Sequence, residues 1–123
     1  MLSTSSNGGL YDNEECERLL NIKIKVVSRV RKDLKSYEAE ADKQLLSIRA
    51  LEAEKGGNED PDLQFKIKKA YESFDETKRM IPECRQRLTA AMVDLEKFIE
   101  DFSSVLGEAR VGEVKTNILN QCK

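Results

Sequence analysis

One segment of the chain, residues 63–105, carries apolar side chains at spacings that alternate between four and three residues. A heptad pattern of this kind keeps one side of an α-helix against a partner helix. We call these positions the C-terminal seam: Leu63, Ile67, Ala70, Phe74, Thr77, Ile81, Cys84, Leu88, Ala91, Leu95, Phe98, Phe102 and Val105. The pattern predicts a long helix, over about 61–102, whose apolar side must be covered by the rest of the chain.

Pro82 lies in the middle of this segment. Inside a helix a proline removes one backbone donor and clashes with the preceding turn, at a cost of about 3 kcal/mol. The seam nevertheless keeps its phase on both sides of the proline. The sequence therefore predicts a helix kinked at Pro82, or two helices laid end to end with the same side inward.

A second seam precedes the first in the chain and predicts a helix over about 14–55, with Asp12 or Asn13 as its cap. We call its positions the N-terminal seam: Cys16, Leu20, Lys23, Val27, Val30, Leu34, Tyr37, Ala41, Gln44, Ile48 and Leu51. Lys23 and Gln44 are polar. Either the Lys23 stem lies along the N-terminal seam with its ammonium in water, or Lys23 and Gln44 set the register of the helix pair.

The clearest break in the pattern is the run Gly56-Gly57-Asn58-Glu59-Asp60-Pro61. Glycine suits the end of one helix, and Asp60 followed by Pro61 suits the start of the next. A connection this short makes the two long helices antiparallel neighbours. Beyond the second helix, a less regular apolar pattern containing Gly107 and Gly112 predicts a third helix, at about 107–120. The alternative is that the second helix continues and the bundle closes by dimerisation.

These patterns predict an all-α protein, an elongated antiparallel three-helix bundle of the left-handed, spectrin-repeat-like kind. Residues 1–13 are rich in Ser, Gly and Asn, and we expect a disordered tail there. Residues 14–121 then form a single helical-bundle domain.

The composition excludes several classes of function. Charged residues make up 36% of the chain, the net charge is −2, and there is no His. The mixed charge argues against a nucleic-acid partner, and no apolar run is long enough to span a membrane. No motif for nucleotide or metal binding occurs, so we expect a binding protein, neither an enzyme nor a cofactor carrier. The three cysteines (Cys16, Cys84 and Cys122) are predicted to be free thiols in a reducing, cytoplasmic compartment.

Residues 78–91 read KRMIPECRQRLTAA. This run resembles the signature region of the tubulin-binding cofactor A family, which has Met-Ile-Pro, an acidic residue, Cys, mixed Arg and Gln, and Leu-x-Ala-Ala. Asp94-Leu95, the run at 22–27 and the run at 37–41 are also similar to that family. The resemblance covers most of residues 20–100. The chain differs from the family pattern at both ends, with a longer N-terminal tail and a glycine-containing C-terminal part.

The resemblance implies a cytoplasmic, cytoskeleton-associated folding cofactor. Such a protein captures β-tubulin released from the chaperonin and holds the intermediate before the α/β heterodimer is assembled. Other tubulin-folding cofactors are further partners under this reading. Family members are three-helix bundles without nucleotide, metal or catalysis. At least one relative is dimeric, so the chain is expected to be a monomer or a homodimer.

If both seams are used internally, a partner must bind the outer, polar faces. Around the predicted kink we expect the tubulin-binding residues to be Lys78, Arg79, Met80, Glu83, Arg85, Gln86 and Arg87. Because tubulin is acidic, basic residues here would speed its encounter. The alternatives are that these are ordinary solvated residues, and that the chain is a generic coiled-coil scaffold or homodimerisation module without a tubulin role.

Overall fold

The computed structural model describes residues 12–57 and 59–120. Over these ranges the elements are α1 (Asn13–Lys55), α2 (Pro61–Asp101), α3 (Ser103–Leu106) and α4 (Glu108–Val114), followed by a π-helical turn, Lys115–Leu119. No strand occurs in the described ranges, which confirms the predicted all-α class. The predicted disordered tail lies outside the described residues except for Asp12 and Asn13. Among the helices described, none has the length and apolarity needed to cross a membrane.

Both long helices begin at the acidic caps predicted from the sequence. Asp12 Oδ1 accepts a hydrogen bond from the backbone N–H of Glu15 at 2.8 Å. Asp60 Oδ1 accepts from the N–H of Asp62 at 3.0 Å, with Pro61 as the first helical residue. These carboxylates satisfy donors that have no partner within the helix and favour the positive end of its dipole.

The burial of the two helices follows the two seams. Every position of the N-terminal and C-terminal seams is buried or half-buried, and none is exposed. Leu88 and Leu95 are buried, whereas Leu34 and Phe74 are half-buried. The side of each long helix that the heptad pattern predicts to face inward is therefore the side that is buried in the structure.

The chain divides into two compact units. The first, which we call the terminal unit, contains the described residues up to Arg31 and those from Arg87 onward. Here α1, α2 and the segment from α3 to the π-helical turn pack together around fully buried side chains of Leu20, Val27, Leu95, Ile99 and Val114.

Polar contacts fix the third segment of the terminal unit on α1. The Asn13 side chain donates to the carbonyl oxygen of Val105 at 3.0 Å. Arg110 donates to Glu17 Oε1 at 3.1 Å and to Asn21 Oδ1 at 3.2 Å, and it also pairs with Glu113. The third segment therefore runs in the same direction as α1.

The C-terminal segment is helical over residues 108–119, close to the third helix predicted at about 107–120. It does not continue α2, which ends at Asp101 and is followed by the short α3. Gly107 separates α3 from α4 with a φ of 89°, a conformation that glycine adopts without strain. Gly112 lies inside α4, and the helix continues through it. The last turn widens to π-helix, which places Leu119 in a buried position.

The second unit, which we call the turn unit, contains Lys32–Gln86. It is an antiparallel helix pair closed by the Gly56–Gly57 turn. Glu38 of α1 pairs with Arg85 of α2 at 3.0 Å, which fixes the two helices side by side far from the turn. The core is thin: its buried apolar side chains are Ala41, Ile48, Leu63, Ile67 and Cys84.

Candidate functional site

The predicted binding residues lie on α2, and nearly all of them face solvent. Lys78, Arg79, Glu83, Arg85 and Gln86 are exposed in the turn unit. Because residues three, four and seven positions apart share a side of a helix, Arg79, Glu83 and Gln86 lie on one side, and Lys78 and Arg85 on another. The structure therefore spreads these residues over two neighbouring sides of α2.

Pro82 is exposed and lies between the two sides. Together with Asp75, Lys78 and Arg79 it lines a shallow cavity of about 460 Å³. Lys78 Nζ lies 5.1 Å from the centroid of the Phe74 ring, a cation–π distance. The Lys78 ammonium therefore lies over the ring of a half-buried seam residue.

Arg85 is already engaged within the chain. Its Nη2 donates to Glu38 Oε2 at 3.0 Å, and the two side chains are 61% and 43% exposed. An exposed pair of this kind contributes at most about 1 kcal/mol, so an acidic partner can compete for the guanidinium. Sequence reasoning missed Glu38, although it occupies the heptad position beside the N-terminal seam where interhelical ion pairs form.

Met80 differs from its neighbours because it is half-buried. It lines a cavity of about 400 Å³ together with Tyr37, Gln44, Ser73 and Thr77. Its side chain thus belongs to a groove between α1 and α2, and not to the charged outer sides of α2. The prediction grouped Met80 with the exposed set because it follows Arg79 directly in the sequence.

The surface in the turn unit carries charges of both signs. Its cations are Lys78, Arg79 and Arg85, whereas Glu83, Asp75 beside Lys78 and Arg79, and Glu38 paired with Arg85 are carboxylates. Arg87 belongs to the terminal unit, where it is also exposed.

The described residues offer little for metal or thiol chemistry. No group of three or more His, Cys, Asp or Glu residues that could hold a metal ion occurs within them. Cys16 and Cys84 form no disulfide within the described residues, and both are buried. Burial raises the pKa of Cys16, and the nearby carboxylates of Asp12, Glu15 and Glu17 raise it further. Raised pKa and burial both oppose thiolate chemistry at Cys16. Cys122 lies outside the described residues.

Comparison with known proteins gives a consistent result. The profile of the family described as Tubulin binding cofactor A matches residues 15–118. The chain is 40% identical over 84 residues to human Tubulin-specific chaperone A, which spans 68% of this chain and 72% of that protein. It is 36% identical over 108 residues to the chicken protein of the same name, spanning 86% and 94%. The match to the protein of this name from Saccharomyces cerevisiae is 30% over 83 residues, spanning 68% and 74%. No solved structure matches the chain.

Proposed function

This chain belongs to the tubulin binding cofactor A family, and we propose that it is a tubulin-folding cofactor that captures β-tubulin folding intermediates released from the cytosolic chaperonin. It would hold each intermediate until the α/β heterodimer is assembled. The observation that carries the proposal is the family match over residues 15–118, which includes both seams and the Met-Ile-Pro-Glu-Cys run. The relatives named Tubulin-specific chaperone A support the choice of tubulin as the client.

The client is proposed to bind the outer surface of α2 in the turn unit, which includes Lys78, Arg79, Glu83, Arg85 and Gln86, with Met80 at its groove edge. Arg87, which belongs to the terminal unit, is proposed as a separate client contact. The supporting argument is one of elimination. All seam positions are buried or half-buried and are used inside the fold, so the remaining surface is mostly charged. Exposed cations attract an acidic client and raise the rate of encounter.

Several finer features belong to the same proposal. We place residues 14–121 in one three-helix bundle of the spectrin-repeat-like, left-handed kind, with α2 kinked at Pro82. The protein works in the cytoplasm in association with the cytoskeleton, alongside other tubulin-folding cofactors, and it performs no catalysis. These assignments are supported by the family match and by the antiparallel pairing of α1 with α2 in the turn unit.

The direct test is capture of unpolymerised β-tubulin by variants with reversed charge. Replacing Arg79 and Arg87 by Glu is expected to weaken capture by about tenfold, because each reversal replaces an attraction by a repulsion on the order of 0.5–1 kcal/mol. Raising the salt concentration should weaken the wild-type complex and narrow the difference. Circular dichroism establishes that each variant keeps its helix content.

Arg85 needs its own design because it pairs with Glu38 within the chain. The single variant Arg85→Glu combines loss of this pair with loss of any client contact. The double variant E38R/R85E keeps the pair with its polarity reversed. If Arg85 contacts the client, both variants lose capture. If Arg85 is structural, the double variant recovers capture.

A matched control carries the same change of charge elsewhere. Arg49→Glu and Lys68→Glu lie at exposed positions of α1 and α2 outside the proposed surface. Undiminished capture by the Arg79 and Arg87 variant, or an equal loss in the control, would remove this surface from the proposal. A folded wild-type chain that captures no β-tubulin would overturn the proposed function and favour the scaffold alternative.

A further inference from the structure

The turn unit has a much thinner apolar core than the terminal unit. Among the described residues, the terminal unit buries more than twice as many apolar side chains, and these include the rings of Phe98 and Phe102. In the turn unit more than half of the seam positions are only half-buried, Leu34 and Phe74 among them. Because burial of apolar surface is the main stabilising contribution to folding, α1 and α2 are held together less strongly in the turn unit.

A polar layer weakens the turn unit further. Gln44 occupies a seam position of α1, and its Oε1 is buried without a hydrogen-bond partner in the described part of the chain. Thr77, at a seam position of α2, lines the same open cavity of about 400 Å³ as Gln44. An unsatisfied buried acceptor disfavours the closed state, and the side chains around the cavity lack packing contacts on one side. Separation of the two helices gives the Gln44 amide to water and removes this penalty.

The polar contact between the two helices and the backbone of α2 add little to compensate. The Glu38–Arg85 ion pair joins α1 to α2, but its side chains are 43% and 61% exposed, so solvent screens the pair. Pro82 removes one backbone hydrogen bond from the interior of α2. Single helices of this length are marginally stable in water, so both helices lose protection once they separate.

We propose that the turn unit opens while the terminal unit stays folded, and that the seams exposed by this opening bind the client. Opening separates α1 from α2 within Lys32–Gln86. Local opening reactions have free energies between about zero and that of global unfolding, and regions with few buried apolar contacts lie at the low end. The apolar seam side chains that become exposed are Leu34, Ile48, Leu51, Leu63, Ile67, Phe74 and Ile81.

The occupant of an opened seam is an apolar helical segment of the client. Each seam keeps its alternating spacing of three and four residues through the turn unit, so an amphipathic helix with the same spacing packs on it as α2 packs on α1. Folding intermediates expose apolar surface of this kind, whereas a folded client has buried it. The opened seams therefore favour the unfinished state of the client, and α1 and α2 close again when the client has folded.

This inference rests on the proposed function for the identity of the client, and it deepens that function. In the proposed function the exposed cations of α2 raise the rate of encounter. The opened seams determine which state of the client is held after encounter. The opening itself belongs to the free protein and is measured without any client.

Each unit contains a buried thiol that reports opening. Cys84 is 3% exposed in the turn unit, and Cys16 is 0% exposed in the terminal unit. Iodoacetamide reacts with a buried cysteine only when the surrounding structure opens, and peptide mass spectrometry identifies which thiol has reacted. Cys84 should react at least about tenfold faster than the free energy of global unfolding from urea denaturation permits, whereas Cys16 should react at the global rate. Reaction of Cys84 at the global rate would overturn the proposal.

Two substitutions in the polar layer link opening to capture of unpolymerised β-tubulin. Gln44→Leu removes the unsatisfied amide, so it should slow the labelling of Cys84 by about tenfold. The binding-competent fraction falls by the same factor, and capture should weaken by about tenfold. Thr77→Val makes the same layer more apolar and leaves Gln44 in place, and it should change both quantities by about threefold. Slower labelling of Cys84 with unchanged capture in Thr77→Val would overturn the proposal.

A control substitution stabilises the terminal unit instead. A Cβ added at Gly112 would meet no atom within 4 Å, and alanine is the better helix former, so Gly112→Ala should stabilise α4. The labelling rate of Cys84 and the capture of β-tubulin should both stay at the wild-type values. A loss of capture in Gly112→Ala equal to that in Gln44→Leu would show that overall stability governs capture, and would overturn the proposal.

The outcomes distinguish this inference from the proposed function. Capture of β-tubulin by a chain whose Cys84 reacts only at the global rate would keep the proposed function and overturn the inference. A chain whose Cys84 reacts rapidly but which captures no β-tubulin would overturn the proposed function and, with it, the client assigned to the opened seams. Labelling of Cys84 that slows as the concentration of the free protein is raised would point to a second copy as the occupant and would also overturn the inference.

Discussion

Lys23 Nζ lies 2.7 Å from Asp94 Oδ2 and 5.4 Å from the centroid of the Phe98 ring, so one side chain of α1 joins two residues of α2 in the terminal unit. The Lys23 side chain is only 27% exposed, which places its stem within the seam. Its ammonium has a specific partner, which is what a role in setting the helix register requires.

Two substitutions distinguish the contribution of the Lys23–Asp94 ion pair to stability from the contribution of the buried Lys23 stem. Asp94→Asn should lower the free energy of unfolding by less than about 1 kcal/mol, because Asp94 is largely exposed and solvent screens the pair. Lys23→Ala should cost about 1–2 kcal/mol, since it also removes the buried stem. Urea denaturation measures both, with Glu96→Gln at an exposed position of α2 as the control. Equal losses for Asp94→Asn and Lys23→Ala would show that the stem contributes nothing.

Arg110 holds the third segment of the terminal unit against α1. It is only 28% exposed and donates to Glu17 and Asn21 while pairing with Glu113. Arg110→Ala should lower stability by about 1–2 kcal/mol, because three acceptors lose a charged donor. Lysine at this position cannot reproduce the forked geometry and should recover only part of the loss.

Hydrogen exchange gives the local readout for this prediction. Amides of residues 108–119 should exchange faster in the Arg110→Ala variant, whereas the turn unit keeps its protection. Glu108→Ala is the matched control, because Glu108 is exposed at the start of the same helix. Unchanged exchange in this segment would mean that apolar contacts alone hold it.

How far the sequence determines this fold can be judged from individual residues. The two seams predict burial at Leu20, Val27 and Leu95 because a heptad pattern specifies which side of a helix faces inward. The caps at Asp12 and Asp60 were predictable for a similar local reason. Ile99 was not, although it is 1% exposed. It lies beside the seam, and it is buried because the terminal unit has a third helical segment to cover a second side of α2.

The candidate surface was less predictable than the fold. Exposure of Arg79 and Arg85 follows from their positions off the seam. The pairing of Arg85 with Glu38 depends on how far α2 is shifted along α1, and heptad spacing alone leaves that shift open by whole turns. The groove position of Met80 has the same cause. The break at Gly107 depends on a local backbone conformation that composition only suggests.

The turn between α1 and α2 contains two adjacent glycines that differ in their tolerance of a side chain. Gly56 has a positive φ of 44°, whereas a Cβ added at Gly57 would meet no atom within 4 Å. Gly56→Ala should lower stability by about 1 kcal/mol, because an L-residue is strained in that conformation. Gly57→Ala should be neutral or stabilising by up to about 1 kcal/mol. Thermal unfolding of the two variants checks the difference, and a larger loss at Gly57 would contradict the assignment.

Ionisation of the Cys16 thiol makes the free energy of unfolding depend on pH in the alkaline range. Burial raises its pKa in the folded chain, so the native state keeps a proton that the unfolded chain releases. Its contribution is complete below the ordinary thiol pKa of about 9 and is lost as the pH rises toward the folded value. The stability of wild type relative to Cys16→Ala should therefore fall between pH 8 and pH 10. Urea denaturation midpoints of wild type and Cys16→Ala at pH 8 and pH 10 measure this fall. If the midpoints of the two proteins differ by the same amount at both pH values, the thiol does not ionise on unfolding.

Substitution of Pro82 is expected to stabilise the chain, whereas most substitutions lower stability. It lies exposed in the interior of α2, where a proline lacks the backbone donor and crowds the preceding turn. Pro82→Ala should raise the free energy of unfolding by about 1–3 kcal/mol, because alanine is the best helix former. Thr89→Ala, at another exposed position of α2, controls for helix propensity alone. A lower melting temperature for Pro82→Ala would contradict this account and would mean that the proline stabilises the native chain.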